Sequence, residues 1–365
     1  MTNELELHTL SAAEDKAAFL EAFAQLPHAC RAEEFRVGLQ APAATKWLLN
    51  LALTSEREAW VALRGGRVVG RLHANVSWTR DDIGYIGFYE VDLRENDHGA
   101  IATALLGVAT AWLEARGRRE VYGPIDWCTW FSYRFLVPQE PGRTHGRLCW
   151  WEPVTPPEFI EHWESAGFEV AEHYSTKPSE HGAGASVALT AEAMRPAYES
   201  ALAAGFTFRP FKQGEAMLEE APELYEVNMK GFSGNFLFEP IPFEVYRATL
   251  TGIAGKIDLG MSFWVRTPED TPAGYIYSFQ DQDYYVGKSL VVLPEHRSRA
   301  LMPAAGHLTL SECSKRGIPT VISALMRQGN RSERLMKSSE GHAASSWRHE
   351  YVLLGKKTGS PATPS

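Results

Sequence analysis

Cysteine is scarce in this chain: four residues in 365, Cys30, Cys128, Cys149 and Cys313. They form no CxxC pair and no metal-ligand spacing, which argues against a disulfide scaffold or a zinc module. The expectation is a reduced, cytoplasmic protein with ordinary thiols and no metal. Positive charge is also in deficit. Lys and Arg number 36 against 45 Asp and Glu, a formal charge of −9, whereas a general nucleic-acid binder carries a basic footprint. No apolar run approaches the roughly 18 residues needed to span a membrane. The opening MTNELELHTLSAAEDKAAF has early acidic residues and no apolar stretch before a small-residue cleavage site, so it does not read as a signal peptide. Neither nucleic acid nor membrane is expected as a partner. What the chain does have is core-forming material: 44% hydrophobic and 22% charged residues, enough for two or three soluble domains.

One pattern occurs twice. Gly87, Val91, Leu93, Glu95, Ala100, Ala104, Arg116, Gly117 and Val121 recur as Gly287, Val291, Leu293, Glu295, Ala300, Ala304, Arg316, Gly317 and Val321. Each copy reads as strand, tight turn, helix closed by Arg-Gly, and strand. Trp60-Val61 and Gly70 are echoed by Trp264-Val265 and Gly274 in a slightly different register.

Alternation predicts an opening strand over 4–10, with Ser11 and Glu14 placed to cap the next helix. Gly65-Gly66 predicts a hairpin between 58–64 and 67–76. A strand is expected over 84–93, then a helix carrying Ile101, Ala104, Leu105, Val108 and Trp112. Short strands over 120–122 and 168–176 enclose an aromatic segment, 126–151, and a helix over 156–166. Pro178–Gly184 suggests a linker, followed by a helix over 190–204 that joins the halves. The second half predicts strands at 206–211, 261–266, 273–279, 288–293 and 320–325. Helical segments are expected at 217–229 and 243–250, a helix through Leu301, Ala304, Ala305 and Leu308, and a short one over 330–339. The last strand is placed at 347–354.

This order resembles the GNAT superfamily of acyl-CoA-dependent N-acyltransferases. VVLPEHRSRAL (291–301) is similar to the family's V-x-P-E-x-R-G-x-G-x-G turn, and GNRSERLM (329–336) to its N-x-x-S-x-x-L segment with one residue fewer. In the first half RVVGRLHANV, IGFYEVD, AWLEARGRREVYGPID and WESAGFEVAEHY resemble a tandem bacterial GNAT-like family. The resemblance implies an α+β (mixed α/β) fold of two tandem GNAT-like domains, each a mostly antiparallel sheet flanked by helices. The N-terminal domain is placed at 1–180, a linker and connecting helix at 181–204, the C-terminal domain at 205–358 and a disordered tail at 359–365.

It also implies a donor, acetyl-CoA or a longer acyl-CoA, and an amine acceptor on a small molecule or peptide. A helix start offers unpaired N–H groups and a positive dipole end to a pyrophosphate, and Arg297 and Arg299 add charge beside it. The expected donor-binding residues are Leu290, Val292, Arg297, Ser298, Arg299, Ala300, Leu301 and Ser332. Ser298, Ala300 and Met302 stand where the family prefers glycine. In the first half the turn carries Glu95 and Asp97, which would repel a pyrophosphate, so that domain is expected to bind coenzyme A weakly or not at all.

The family's usual acid, a Tyr, is replaced by Met336. Asp283 and Tyr285 are candidate base and acid, and Glu90 sits where some GNAT bases sit. Trp127 and Trp130 are candidates for an acceptor or acyl pocket. Asn235 and Glu239 fall in the family's acceptor loop, GFSGNFLFEPIPFEVY (231–246), beside Phe232, Phe236 and Phe238. An acyl carrier protein is a second donor compatible with these residues, and a homodimer contact is a second use for the aromatic segment. Two other functions stay open: a non-catalytic GNAT-fold binding or regulatory protein, and aminoacyl transfer from tRNA, against which the acidic charge argues.

Overall fold

A computed structural model describes residues 4–139, 151–180, 185–281, 284–318, 320–330 and 347–359. The chain divides into two units. The first comprises 1–140, 148–173 and 350–365, the second 141–147 and 174–349. The expected tail and the helix over 330–339 fall almost wholly outside the described residues.

Unit 1 begins with β1 (Leu5–Thr9) and α1 (Lys16–Cys30). The cap of α1 is Asp15 rather than Ser11: its carboxylate accepts from the Ala18 N–H at 2.9 Å, satisfying one of the helix's unpaired donors. After α2 (Pro42–Leu49) come β2 (Arg57–Arg64) and β3 (Arg67–Val76). Gly65 and Gly66 join them, both at positive φ, as a tight hairpin turn requires. Then follow β4 (Ile83–Val91), α3 (His98–Glu114), β5 (Glu120–Gly123), β6 (Phe135–Leu136), α4 (Glu158–Ser165) and β7 (Glu169–Glu180). The sheet order is β1-β2-β3-β4-β5-β13, with β13 spanning His349–Lys357 and β6 also pairing β13.

Alternation along these strands sends side chains to two cores. Trp60, Ala62, Leu72, Ala74 and Val91 meet Ile101, Leu105, Ala109 and Leu113 of α3 and Phe159 and Trp163 of α4. Ala59, Val61 and Phe88 meet Phe19 and Phe23 of α1, Leu48 and Leu49 of α2, and Trp127. Fully burying each large side chain stabilises by about 1.5–3 kcal/mol, so packing on both faces fixes the strand register.

The last strand, expected to close the second half, lies in unit 1. β13 runs antiparallel to β5, Leu354 opposite Gly123, and its Val352 and Leu354 enter the core with α3 and α4. The Tyr351 hydroxyl donates to Glu152 at 2.8 Å. In turn the distal half of β7 belongs to unit 2.

Unit 2 holds α5 (Ala185–Ala203), β8 (Thr207–Pro210), a 3-10 turn at Gly214–Glu220, α6 (Ala221–Phe232), α7 (Phe243–Ile253), β9 (Phe263–Arg266) and β10 (Pro272–Asp281). It continues with β11 (Tyr284–Val292), a 3-10 turn at Pro294–His296, α8 (Leu301–Lys315) and β12 (Thr320–Arg327). The order is β7-β12-β11-β10-β9-β8. α5 does more than join the halves. It packs along α8, with Val187 and Ala191 in the core beside Leu310 and Cys313 and the His307 ring nitrogen 2.7 Å from the Ala191 carbonyl. On the other face of the sheet, Trp264 and Tyr275 pack with Phe211. The Tyr275 hydroxyl donates to Asn228 of α6, and Asn228 donates to the Tyr246 hydroxyl of α7.

Candidate functional site

In unit 2, β11 starts as the parallel partner of β12 and then leaves it. The ladder runs from Tyr284–Thr320 to Gly287–Ser323 and stops. Both strands bend there. On β11 the register against β10 changes between Tyr277–Ser289 and Ser278–Gly287, which makes Lys288 an extra, bulged residue. On β12 the register against β7 changes between Ser323 and Met326, and Leu325 adopts φ +54°. Its N–H turns to the Thr176 hydroxyl at 3.0 Å. Bulges re-aim strands and mark sheet edges and active sites. Their effect here is that β11 parts from β12 after Gly287, so that 288–292 has no β12 partner among the described residues.

This free stretch of β11 runs, through the 3-10 turn, to the start of α8. Val292 and Leu301 anchor this turn in the core, so Leu301 offers the site its N–H rather than its side chain. Ala300, the N-cap, sits at φ +49° with no side-chain cap, in the left-handed region where the family's glycine is at ease and an L side chain is not. The N–H groups of Ser298, Leu301 and Met302 meet no backbone acceptor among the described residues. Pro303, in the first turn, has no N–H to lose. Ser298, Arg297 and Arg299 are exposed. Arg297 Nε donates to the Val292 carbonyl at 3.2 Å, and the Arg299 guanidinium lies 5.5 Å from the centre of the Phe206 ring. Neither arginine has a carboxylate partner among the described residues, whereas Glu295 is held by Lys230 at 2.6 Å. Helix-terminal N–H groups beside two guanidinium groups that lack a carboxylate partner among the described residues suit a diphosphate. Leu290 is about one-third exposed, at 36%.

Unit 1 carries the same bulge. Its register changes between Arg71–Glu90 and His73–Gly87, and Phe88, the equivalent of Lys288, has φ +51°. There, however, the chain fills its own cleft. Ile125 N–H donates to Ile86 at 2.8 Å, and a Cβ on Gly87 would lie 2.0 Å from the Ile125 carbonyl, so only glycine admits this approach. The Phe88 N–H is taken by the Asp126 carboxylate at 2.6 Å.

The unit 1 turn is not simply acidic, as its sequence suggests. Arg64 binds Glu95 and Asp97, Arg67 binds Asp92 and Glu95, and Arg94 binds Asp92. Together with Asn96 these groups, Asp92 apart, line a polar cleft of about 480 Å³. Burial alone would raise the Asp92 carboxyl, but hydrogen bonds from Arg94 and Arg67 outweigh it and hold it below the usual range. Three guanidinium groups neutralise three carboxylates, so occupation of the strand edge by Asp126, rather than repulsion by Glu95 and Asp97, is the stronger obstacle to a donor.

The remaining candidates scatter. Glu90 is fully buried and bonded at 2.7 Å to Arg31, whose Nη1 also donates to the Val154 carbonyl, so its carboxylate is committed to an ion pair. Tyr285 points into the α5–α8 core with Leu310 and Cys313, and burial pushes its hydroxyl well above the usual range. Asp283 and Ser332 lie outside the described residues. Trp127 is fully buried with its Nε1–H on the Leu48 carbonyl at 2.8 Å, which places it in packing rather than in an open pocket. Trp130 is half-buried, Asn235 exposed and Glu239 fully buried.

One group was missed by the sequence reading. Tyr277 lies on β10 directly opposite Ser289, at the bulge. Its ring meets Phe211 and Phe279, and its buried hydroxyl has no hydrogen-bond partner among the described residues. The alternation Tyr275, Tyr277, Phe279 is visible in the sequence, but it reads equally well as core.

Among the described residues no helix is long and apolar enough to cross a membrane, and no group of three or more His, Cys, Asp or Glu could hold a metal ion. No protein-family model matches the chain, and no curated protein does. Solved structures do. A protein from Enterococcus faecalis V583, described as of unknown function and a probable N-acyltransferase, is 11% identical with a TM-score of 0.57; the match covers 97% of this chain and 72% of that one. A GCN5-related N-acetyltransferase from Kribbella flavida is 12% identical, covering 97% and 71%, with a TM-score of 0.52. One from Anabaena variabilis ATCC 29413 is 13% identical, covering 96% and 73%, with a TM-score of 0.51. The chain therefore has the mixed α/β fold of GCN5-related N-acetyltransferases across nearly its whole length. At these identities the likeness is one of architecture, and a fold hosts many activities.

Proposed function

We propose that this protein is an N-acyltransferase that binds its acyl thioester donor in unit 2 and passes the acyl group to an amine of a small molecule or peptide. The observation that carries this reading is the parting of β11 from β12 at the Lys288 bulge, upstream of a helix start flanked by two arginines that lack a carboxylate partner among the described residues. Arg297, Arg299 and the first N–H groups of α8 would hold the diphosphate of acetyl-CoA or a longer acyl-CoA. The edge at 288–292 would pair with the amides of the pantetheine arm. In the transfer the amine nitrogen attacks the thioester carbon, a C–N bond forms and the C–S bond breaks. The amine loses a proton to a base or to water, and the departing thiolate gains one. An acyl carrier protein would offer the same arm without the diphosphate, and the strained Ala300 and the bulk of Met302 would hinder it less.

Binding without transfer is a second reading. It is favoured by the commitment of Glu90 to Arg31 and the burial of Tyr285. The test is calorimetric titration with acetyl-CoA and a longer acyl-CoA, followed by thiol release with a panel of amines. The double variant Arg297→Ala, Arg299→Ala is expected to weaken donor binding at least tenfold, since each charge-assisted hydrogen bond supplies about 1.5–3 kcal/mol. Thiol release that depends on an amine supports transfer, and donor binding without any release supports the second reading. Absence of donor binding to the parent protein overturns the acyl-CoA assignment.

A further inference from the structure

Unit 1 buries a row of polar groups that its fold satisfies only in part: Asn75 Nδ2, for example, donates to the Val76 and Trp127 carbonyls. Arg71, His73 and Asn75 are alternate residues of β3, so they share a face. That face is the one covered by α1, α2 and Trp127. They are 7%, 1% and 0% exposed, and each keeps a polar atom with no hydrogen-bond partner among the described residues: Arg71 Nε, both ring nitrogens of His73, and Asn75 Oδ1.

Such a row is costly, because buried polar groups are nearly always paired. Arg71 is the most exceptional. Its Nη1 donates to the Phe23 carbonyl at 2.6 Å and its guanidinium lies 4.8 Å from the centre of the Phe23 ring, yet no carboxylate reaches ion-pair distance. Glu90 is spent on Arg31, and Asp126 accepts from Phe88. Buried Arg266, by contrast, has both Glu223 and Asp270. Burial pulls the Arg71 pKa down to about 10, outweighing Glu90 and Asp126, which favour its charge from beyond contact distance, so an anion in direct contact would relieve an uncompensated cost.

The surroundings are aromatic. The His73 ring lies 4.6 Å from Trp127 and 5.6 Å from Phe88, centre to centre, and Phe23 packs on Phe88 at 6.1 Å. Phe88 and Trp127 both hold positive φ, at 51° and 65°. Bulky residues pay for that conformation, and it clusters at functional sites.

We propose that this face of unit 1 is a binding site for a small aromatic carboxylate. The Arg71 Nε–H and a His73 N–H meet the carboxylate, and Phe23, Phe88 and Trp127 flank its ring. Asn75 Oδ1 is left to accept from a hydroxyl or amino substituent. His73 is well placed to offer one N–H and remain neutral. Burial, aided by the nearby Arg57 charge, pulls its pKa down to about 3. The face is closed in the free chain, so binding draws on an opened minor state and the apparent affinity is reduced accordingly. The site is independent of the donor cleft and stands whether or not unit 2 binds an acyl thioester.

Benzoate is the probe and benzamide its neutral counterpart. Titrated into the whole protein, benzoate is expected to bind saturably, to raise the unfolding midpoint and to shift the His73 ring signals in nitrogen-15 NMR. Benzamide should bind at least tenfold more weakly. Arg71→Met should abolish the benzoate response, and Arg71→Lys, which keeps the charge but lacks the Nε–H, should weaken it. His73→Leu should weaken it too while leaving the unfolding midpoint unchanged or higher, because an unpaired buried polar group is removed. No saturable response up to about 10 mM, the range a single charged contact supplies, would mean that the row holds water only and overturns the proposal. So would an undiminished benzoate response in the Arg71 variants, or a midpoint lowered by His73→Leu with the response intact, which would make the row structural.

Discussion

Asp126 shows how one residue can close a site and strain the protein together. Its carboxyl caps the Phe88 N–H that a donor would need. Burial raises its pKa from 3.8 to about 6, against the lowering effects of that N–H and of the Arg71 and Arg31 charges. The folded state thus holds this proton more tightly than the unfolded state. The resulting stability is fully present below the unfolded value and is lost as pH rises through about 6. Asp126→Asn keeps an acceptor for Phe88 and cannot ionise. It is expected to stabilise the protein by about 1–3 kcal/mol at pH above 6 and by almost nothing near pH 4. Denaturant midpoints at the two pH values check this, and a pH-independent difference would contradict it. Glu90→Gln tests the neighbouring ion pair. Leaving Arg31 buried and unpaired should cost about 3–5 kcal/mol with donor affinity unchanged. A variant of unaltered stability with transfer abolished would restore Glu90 as a base. Neither arrangement was legible beforehand. Glu90 lies 59 positions from Arg31 and Asp126 lies 38 from Phe88, and nothing in a local pattern announces such partners.

Elements were more transparent. Helical spacing located α3 and α8, alternation located most strands, and Gly65-Gly66 located the first hairpin. The start of α1 was misplaced because Ser11 and Asp15 both qualify as caps, and packing of Phe19 and Phe23 decides between them. The bulges at Phe88 and Lys288 were invisible, since a bulge is a relation between two strands rather than a property of one. The turn before α8 was read correctly as a helix start, but the strain in it could not be. Ala300 holds φ +49°, so Ala300→Gly is expected to raise stability by a few tenths to about 1 kcal/mol, the relief of strain being partly offset by the freer unfolded chain. Equilibrium unfolding measures this, and a loss of stability would show that the turn relaxes with glycine. Tyr277→Phe should leave the unfolding midpoint unchanged or higher, because it deletes an unpaired hydroxyl. A drop of more than about 1 kcal/mol would reveal a hydrogen bond worth that much.

Across the whole molecule the duplicated pattern recurs as two similar runs of strand, helix and strand, β4-α3-β5 and β11-α8-β12, yet it mislaid the closing strands. The distal part of β7 pairs with β12, and β13 pairs with β5. Long-range antiparallel pairing leaves no local signature, and both strands carry the same kind of apolar alternation. A chain stopped after Arg348 therefore loses Tyr351, Val352, Leu353 and Leu354, all 4% exposed or less. At about 1.5–3 kcal/mol each, that loss rivals the 5–15 kcal/mol stability of a typical domain. Unit 1 is expected not to fold, which near-ultraviolet circular dichroism of its tryptophans would report, and a peptide spanning 349–359 should restore the signal. The central claim, that the donor belongs to the second copy and not the first, is tested most directly by amide hydrogen exchange with and without acetyl-CoA. The account predicts slowed exchange in peptides covering 288–302 and none in those covering 86–100. Protection confined to 86–100 would contradict it.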